Sequence, residues 1–217
     1  YHSHLGTKSG GIAAYDPEIG LQRNIHNIRA SPFRTKFEHI FEQMRGTSAV
    51  GCINDTDPQP LLIRSHLGTY AICIVGVVNN SERLLSEQLS NSVHFNAMTG
   101  GKLNSTELIA ALINQKKSFT EGIIFAQSVI EGTANILILR DDGSIIAARD
   151  LWGRLPVSVG RKEDGMCVSL EGFAYAKLGY ETVRELGPGE IVELHSDGET
   201  GRRPSGLRKT KGYDNSL

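Results

Sequence analysis

The chain has 217 residues, 39% of them hydrophobic and 22% charged, a balance that fits a globular protein with a sizeable core and excludes a disordered or fibrous chain. Lys and Arg total 23 against 24 Asp and Glu, so a net charge of -1 excludes any global electrostatic pull toward nucleic acid or an anionic membrane. Three cysteines, Cys52, Cys73 and Cys167, are an odd count without paired spacing; with no signal-like N-terminus and no apolar run of bilayer length, a reducing, cytoplasmic setting is expected.

Short apolar runs bounded by turn residues predict strands over 11–15, 21–28, 49–53, 70–78, 135–139, 144–148, 157–160, 166–170 and 190–194. Between them, residues 36–44, 82–89, 105–114 and 121–130 space their apolar side chains by three and four, as helices with one buried face require. Asn104 or Ser105 is the predicted N-cap of the third helix, just ahead of Leu108, Ala111 and Leu112. Arg140-Asp141-Asp142-Gly143-Ser144 predicts a hairpin turn, because Gly tolerates the positive φ such turns need. Strands, then mostly helices, then strands again predict an α+β fold in which helices form their own layers. From Ser196 the chain turns polar and mixes Arg202, Arg203, Arg208, Lys209 and Lys211 with Gly, Pro and Ser, so one domain over 1–195 and a flexible basic tail over 196–217 are expected. No aromatic residues interleave the basic ones, which argues against a nucleic-acid arm.

Four segments in order carry a resemblance. The first is His4-Leu5-Gly6-Thr7-Lys8-Ser9-Gly10-Gly11-Ile12; the second is Val50-Gly51-Cys52-Ile53 with Pro58-Gln59-Pro60-Leu61-Leu62. The third runs from Gly68-Thr69-Tyr70-Ala71 to Val75-Gly76-Val77-Val78-Asn79-Asn80 and on to Asn104-Ser105-Thr106-Glu107. The fourth is Ala148-Arg149-Asp150-Leu151-Trp152-Gly153-Arg154-Leu155-Pro156, followed by Glu171 and Leu186-Gly187-Pro188-Gly189-Glu190. Together they cover nearly the whole chain and resemble the N-terminal class II glutamine amidotransferase domain of the amidophosphoribosyltransferase family. The resemblance implies two facing antiparallel sheets between helical layers, of the N-terminal-nucleophile hydrolase type, with the active site at one end of the sheets.

It also implies a chemistry. An N-terminal cysteine thiolate attacks the glutamine amide, its own α-amino group acting as base. An Asn side chain and a Gly N–H receive the oxyanion, and an Arg and an Asp hold the substrate's carboxylate and ammonium ends. At the matching positions this chain has Asn54 and Asp55 for the Arg, Val75 for the oxyanion Asn, Gly76 for its Gly and Ser105 for the Asp. The chain opens on Tyr1, and the family's Cys and the strand it begins have no counterpart, so truncation is expected and no residue is assigned as catalytic. A domain inactive as a glutaminase, structural or regulatory beside a phosphoribosyltransferase-type domain or subunit, is the primary expectation. One alternative is a fragment of an active purine-biosynthetic amidophosphoribosyltransferase whose Cys lies upstream of Tyr1. Another is a small-molecule binding module in which Asn54, Asp55 and Ser105 take glutamine or a different polar ligand. Self-association into a homo-oligomer is expected, and no cofactor.

Other residues have plainer readings. His2 and His4 face one side of an extended segment without a Cys or carboxylate cluster, too few ligands for zinc, and His26, His39, His66, His94 and His195 are scattered. Cys52 is predicted to be a structural thiol, and Arg149, Asp150 and Arg154 to fix a turn.

Overall fold

The computed structural model describes residues 7–90, 95, 98–99, 102–196 and 198–202. His2, His4, His94, the opening of the first motif and the basic residues beyond Arg202 lie outside them. In chain order the elements are β1 (Ser9–Asp16), β2 (Gly20–Asn27), α1 (Phe33–Gln43), β3 (Ser48–Asn54), β4 (Leu61–Ser65), β5 (Gly68–Val78) and α2 (Ser81–Ser90). Next come β6 (Met98–Thr99), β7 (Lys102–Leu103), α3 (Ser105–Ile113), α4 (Phe119–Val129), β8 (Gly132–Arg140), β9 (Ile145–Ala148), β10 (Ser158–Lys162) and β11 (Gly165–Ser169). The last are α5 (Gly172–Ala176), β12 (Glu181–Glu185), β13 (Ile191–His195) and β14 (Gly198–Arg202).

A six-stranded antiparallel sheet ordered β14-β13-β9-β8-β5-β4 forms the centre. Alternation along β5 and β8 divides their side chains between two cores. Ile72, Ile74, Ala134, Ile136 and Ile138 point to the helical side, against Leu108, Ile109, Leu112 and Ile113 of α3 and Ile123 and Ala126 of α4. Ala71, Cys73 and Leu139 point the other way, onto Ala13 of β1 and Val50 of β3. Further along the same face, Ala147, Val192 and Leu194 pack on Val157, Val159 and Leu186. Two separate three-stranded sheets, β2-β1-β3 and β11-β10-β12, therefore cover one face of the large sheet. Outside them, α1 lays the stacked Phe33 and Phe37 rings over Gly10, and α5 buries Ala174 and Tyr175. The architecture is α+β, helix over sheet over sheet over helix, as expected.

Leu137 and Ile145 pack against both of the cores between the sheets and stay half-buried, although β8 and β9 lie in the middle of the large sheet. Among the described residues the two small sheets do not pair with each other, and Leu137 and Ile145 lie beneath the gap between them. Arg184 of β12 reaches Glu199 of β14 at 2.8 Å, which places β12 over the outer edge and leaves β11 facing β3 across the gap.

The predicted core strands and the four predicted helices are present. Asn104 caps α3, its Oδ1 accepting from the Thr106 N–H at 2.8 Å. The hairpin at Gly143 (φ +84°) closes with the Arg140 N–H donating to the Ser144 carbonyl at 2.9 Å. Within the segment expected as a tail from Ser196, Gly198–Arg202 instead forms β14, paired with β13 along its length. No helix among the described residues is long and apolar enough to cross a membrane.

Candidate functional site

The five singled-out positions lie around one loop and one strand end. β3 ends at Asn54, whose Oδ1 accepts from the Thr56 N–H at 2.6 Å and the Thr56 hydroxyl at 2.7 Å, a side-chain mimic of a backbone turn. The turn sends Asp57 inward, where it is 9% exposed and its Oδ2 accepts from the Ser105 N–H at 3.0 Å. A carboxylate at the first residue of α3 meets the positive end of the helix dipole. Ser105 is thus held by its backbone, next to the Asn104 cap.

Asp55 turns away from that contact. Its Oδ1 accepts from the backbone N–H groups of Thr7 at 2.6 Å and Lys8 at 2.9 Å. The Thr7 N–H contributes most to holding this exposed carboxyl below the usual carboxylate range, with the Lys8 N–H and ammonium adding to it. Its charge is directed at the entry to β1.

The loop then reaches β5. Pairing with β4 reaches Ile72, opposite Leu61, and past that point Gln59 Oε1 accepts from the Ile74 N–H at 2.6 Å. Gly11 lets the loop pass, since a Cβ there would lie 1.8 Å from the Gln59 carbonyl oxygen. Val75 and Gly76 follow, opposite Asn135 and Ala134 of β8. Gly76 is exposed, and a Cβ on it would lie 2.0 Å from the Thr133 carbonyl oxygen, so this strand end admits only glycine. Asn54 and Ser105 are tied through Asp57, and Gln59 of the same loop ties in β5 just before Val75 and Gly76. The loop residues Asp57 and Gln59 organise the site and carry no periodic signal in the sequence.

Cys52, two residues before Asn54, and Cys73, two before Val75, meet between the sheets. The contact with Cys73 lowers the Cys52 thiol from its ordinary value, and the same contact with burial pushes Cys73 up. Arg149 and Asp150 serve as scaffold. Asp150 accepts from the N–H groups of Trp152 at 2.9 Å and Arg154 at 3.2 Å, while Arg149 binds Glu185 at 2.7 Å and the Gly153, Leu155 and Leu186 carbonyls. Among the described residues no group of three or more His, Cys, Asp or Glu side chains could hold a metal ion.

The fold recurs in known proteins. Over 203 residues the chain is 33% identical to the amidophosphoribosyltransferase of Methanocaldococcus jannaschii, a match covering 90% of this chain and 42% of that protein. It is a relative of the amidophosphoribosyltransferases. The glutamine phosphoribosylpyrophosphate amidotransferase of Bacillus subtilis, solved with ADP and GMP, superposes with a TM-score of 0.78 at 25% identity, over 93% of this chain and 44% of that one. A class II glutamine amidotransferase domain protein from Silicibacter pomeroyi shares the fold alone, with a TM-score of 0.52 at 15% identity over 89% of this chain and 90% of its own. No family model matches. The chain thus spans less than half the length of its amidophosphoribosyltransferase relatives, and the part it matches has the N-terminal-nucleophile amidotransferase fold.

Proposed function

We propose that this chain is the scaffold of a glutamine amidotransferase domain that does not itself hydrolyse glutamine, and that it serves a structural or regulatory role beside a phosphoribosyltransferase-type domain. The observation that carries this reading is the state of the substrate-binding positions. Val75 offers no donor to an oxyanion, Ser105 has no charge for an ammonium group, and Asp55 commits its charge to the Thr7 and Lys8 N–H groups. Loss of one oxyanion donor alone costs about 10²–10³ in rate. The names of the relatives, and the share of their length that this chain leaves unmatched, support the partner domain. The test is glutamate release from L-glutamine by the full-length natural protein, together with labelling by a glutamine-mimicking diazoketone. The expected result is neither release nor labelling; stoichiometric labelling at a cysteine would sink the reading.

The gap between β3 and β11 favours a second reading. A Cys-initiated strand upstream of Tyr1, laid over Leu137 and Ile145, would join the two small sheets into one and bring a thiol into the layer between the sheets. Intact-mass measurement and N-terminal sequencing of the protein from its native source separate the two. A mature N-terminal Cys supports the active enzyme, and Tyr1 as the first residue supports the inactive scaffold.

A further inference from the structure

Two of the three thiols face each other across the layer between the sheets. Along β3, Val50 is buried in that layer and Gly51 is exposed, so strand alternation turns Cys52 inward with Val50. Along β5, Ala71 and Cys73 point into the same layer from the large sheet. Both cysteines thus belong to one cluster, and their side chains touch. Facing strands of two packed sheets can carry a disulfide, as the inter-sheet bridge of antibody domains shows.

The two sulfurs are not equivalent. Cys52 is half-buried and stands opposite Gly11 of β1, so no side chain across from it on that strand screens it, whereas Cys73 is 3% exposed. An oxidant from solvent therefore meets Cys52 first. The contact between them lowers the Cys52 thiol and, with burial, pushes Cys73 up, and the thiolate is the nucleophile. Cys167 lies on β11 in the other small sheet, and burial pushes it up to about 11.

We infer that Cys52 and Cys73 form a reversible disulfide in response to hydrogen peroxide, with Cys52 as the attacking sulfur and Cys73 as the resolving one. The Cys52 thiolate attacks the peroxide; an S–O bond forms, the O–O bond breaks, and hydroxide leaves with the proton that Cys52 released, giving a sulfenic acid and water. The Cys73 sulfur then attacks the Cys52 sulfur; the S–S bond forms, the S–O bond breaks, and hydroxide leaves with the Cys73 proton as a second water. The bridge joins β3 just before Asn54 to β5 just before Ile74, the strands between which the loop carrying Asp57 and Gln59 is held. It braces the frame of the candidate site whether or not that site hydrolyses glutamine.

The experiment treats the reduced full chain with hydrogen peroxide, alkylates it after denaturation so that Cys73 is open to reagent, and maps the peptides. A Cys52–Cys73 link, an alkylated Cys167 and full reversal by dithiothreitol are expected. Cys73→Ala should strand Cys52 as a sulfenic acid that dimedone traps, and Cys52→Ala should leave Cys73 unoxidised. Closing a loop of the unfolded chain should raise the melting temperature of the oxidised form, and an unchanged value overturns the bracing role. Both cysteines alkylated after peroxide, or Cys52 stopped at the sulfenic acid beside an alkylated Cys73, overturns the disulfide.

Discussion

Asp55 shows how one residue can hold charge in the candidate site and yet be committed elsewhere. Its folded-state pKa is depressed by the Thr7 and Lys8 N–H groups, so its contribution is present above the unfolded carboxylate value of about 3.9 and is lost as pH falls through the folded value. Amide-exchange protection at Thr7 and Lys8 should therefore hold at neutral pH and fall as the solution is acidified below that range. In Asp55→Asn the acid-dependent loss should vanish; an unchanged pH profile would show that the carboxylate does not hold the start of β1. Asp57 acts on the neighbouring element, because its carboxylate caps the Ser105 N–H. Asp57→Ala should cost about 1–2 kcal/mol in urea denaturation, and no loss would remove it from the site's frame.

At the scale of the element, close approach of backbones decides what the loop over β1 tolerates. Gly11→Ala places a methyl group against the Gln59 carbonyl, which is itself held because Gln59 Oε1 binds Ile74. Neither strand nor loop can give without breaking pairs, so at least about 2 kcal/mol should be lost in thermal or urea unfolding. Gly20→Ala, at a turn where a Cβ meets nothing, tests positive-φ strain without a clash. The same contrast explains what the sequence discloses. The strands around Ala71, Cys73 and Ile136 are legible because burial makes them apolar and turns bound them. β12, with four of its five residues exposed, and the polar β14 lie at sheet edges and carry no such pattern, and α5 is a single five-residue turn. Val75, Gly76 and Ser105 are legible from the order of motifs. Gln59 is legible as part of the Pro58–Leu62 motif, though its bond to Ile74 is not, and Asp57 and Asn135 are not legible at all, since they act on residues 48 and 15 positions away and only the fold brings them together.

For the molecule as a whole, the question is whether the folded body stops at β13, and the large sheet answers that it continues at least through β14. An apolar core would close at β13, where Ile191, Val192 and Leu194 are buried, and composition alone puts the boundary at His195. Yet β13 would then be an edge strand with its outer N–H and C=O groups unpaired, an invitation to edge-to-edge association. β14 covers that edge from Ile191 to His195, and Glu199 on it binds Arg184, which also binds the buried Glu190 at 2.7 Å. The polar strand thus joins the large sheet to β12 of the small one. A chain ended at Arg202 keeps β14 and serves as the reference. One ended at His195 loses a charge-assisted pair worth about 2 kcal/mol, hence roughly 4–8 °C in melting temperature, and should self-associate as concentration rises. Equal melting of the two shortened chains, with both monomeric by light scattering, would put the end of the body back at β13 and reduce β14 to an ornament of the edge.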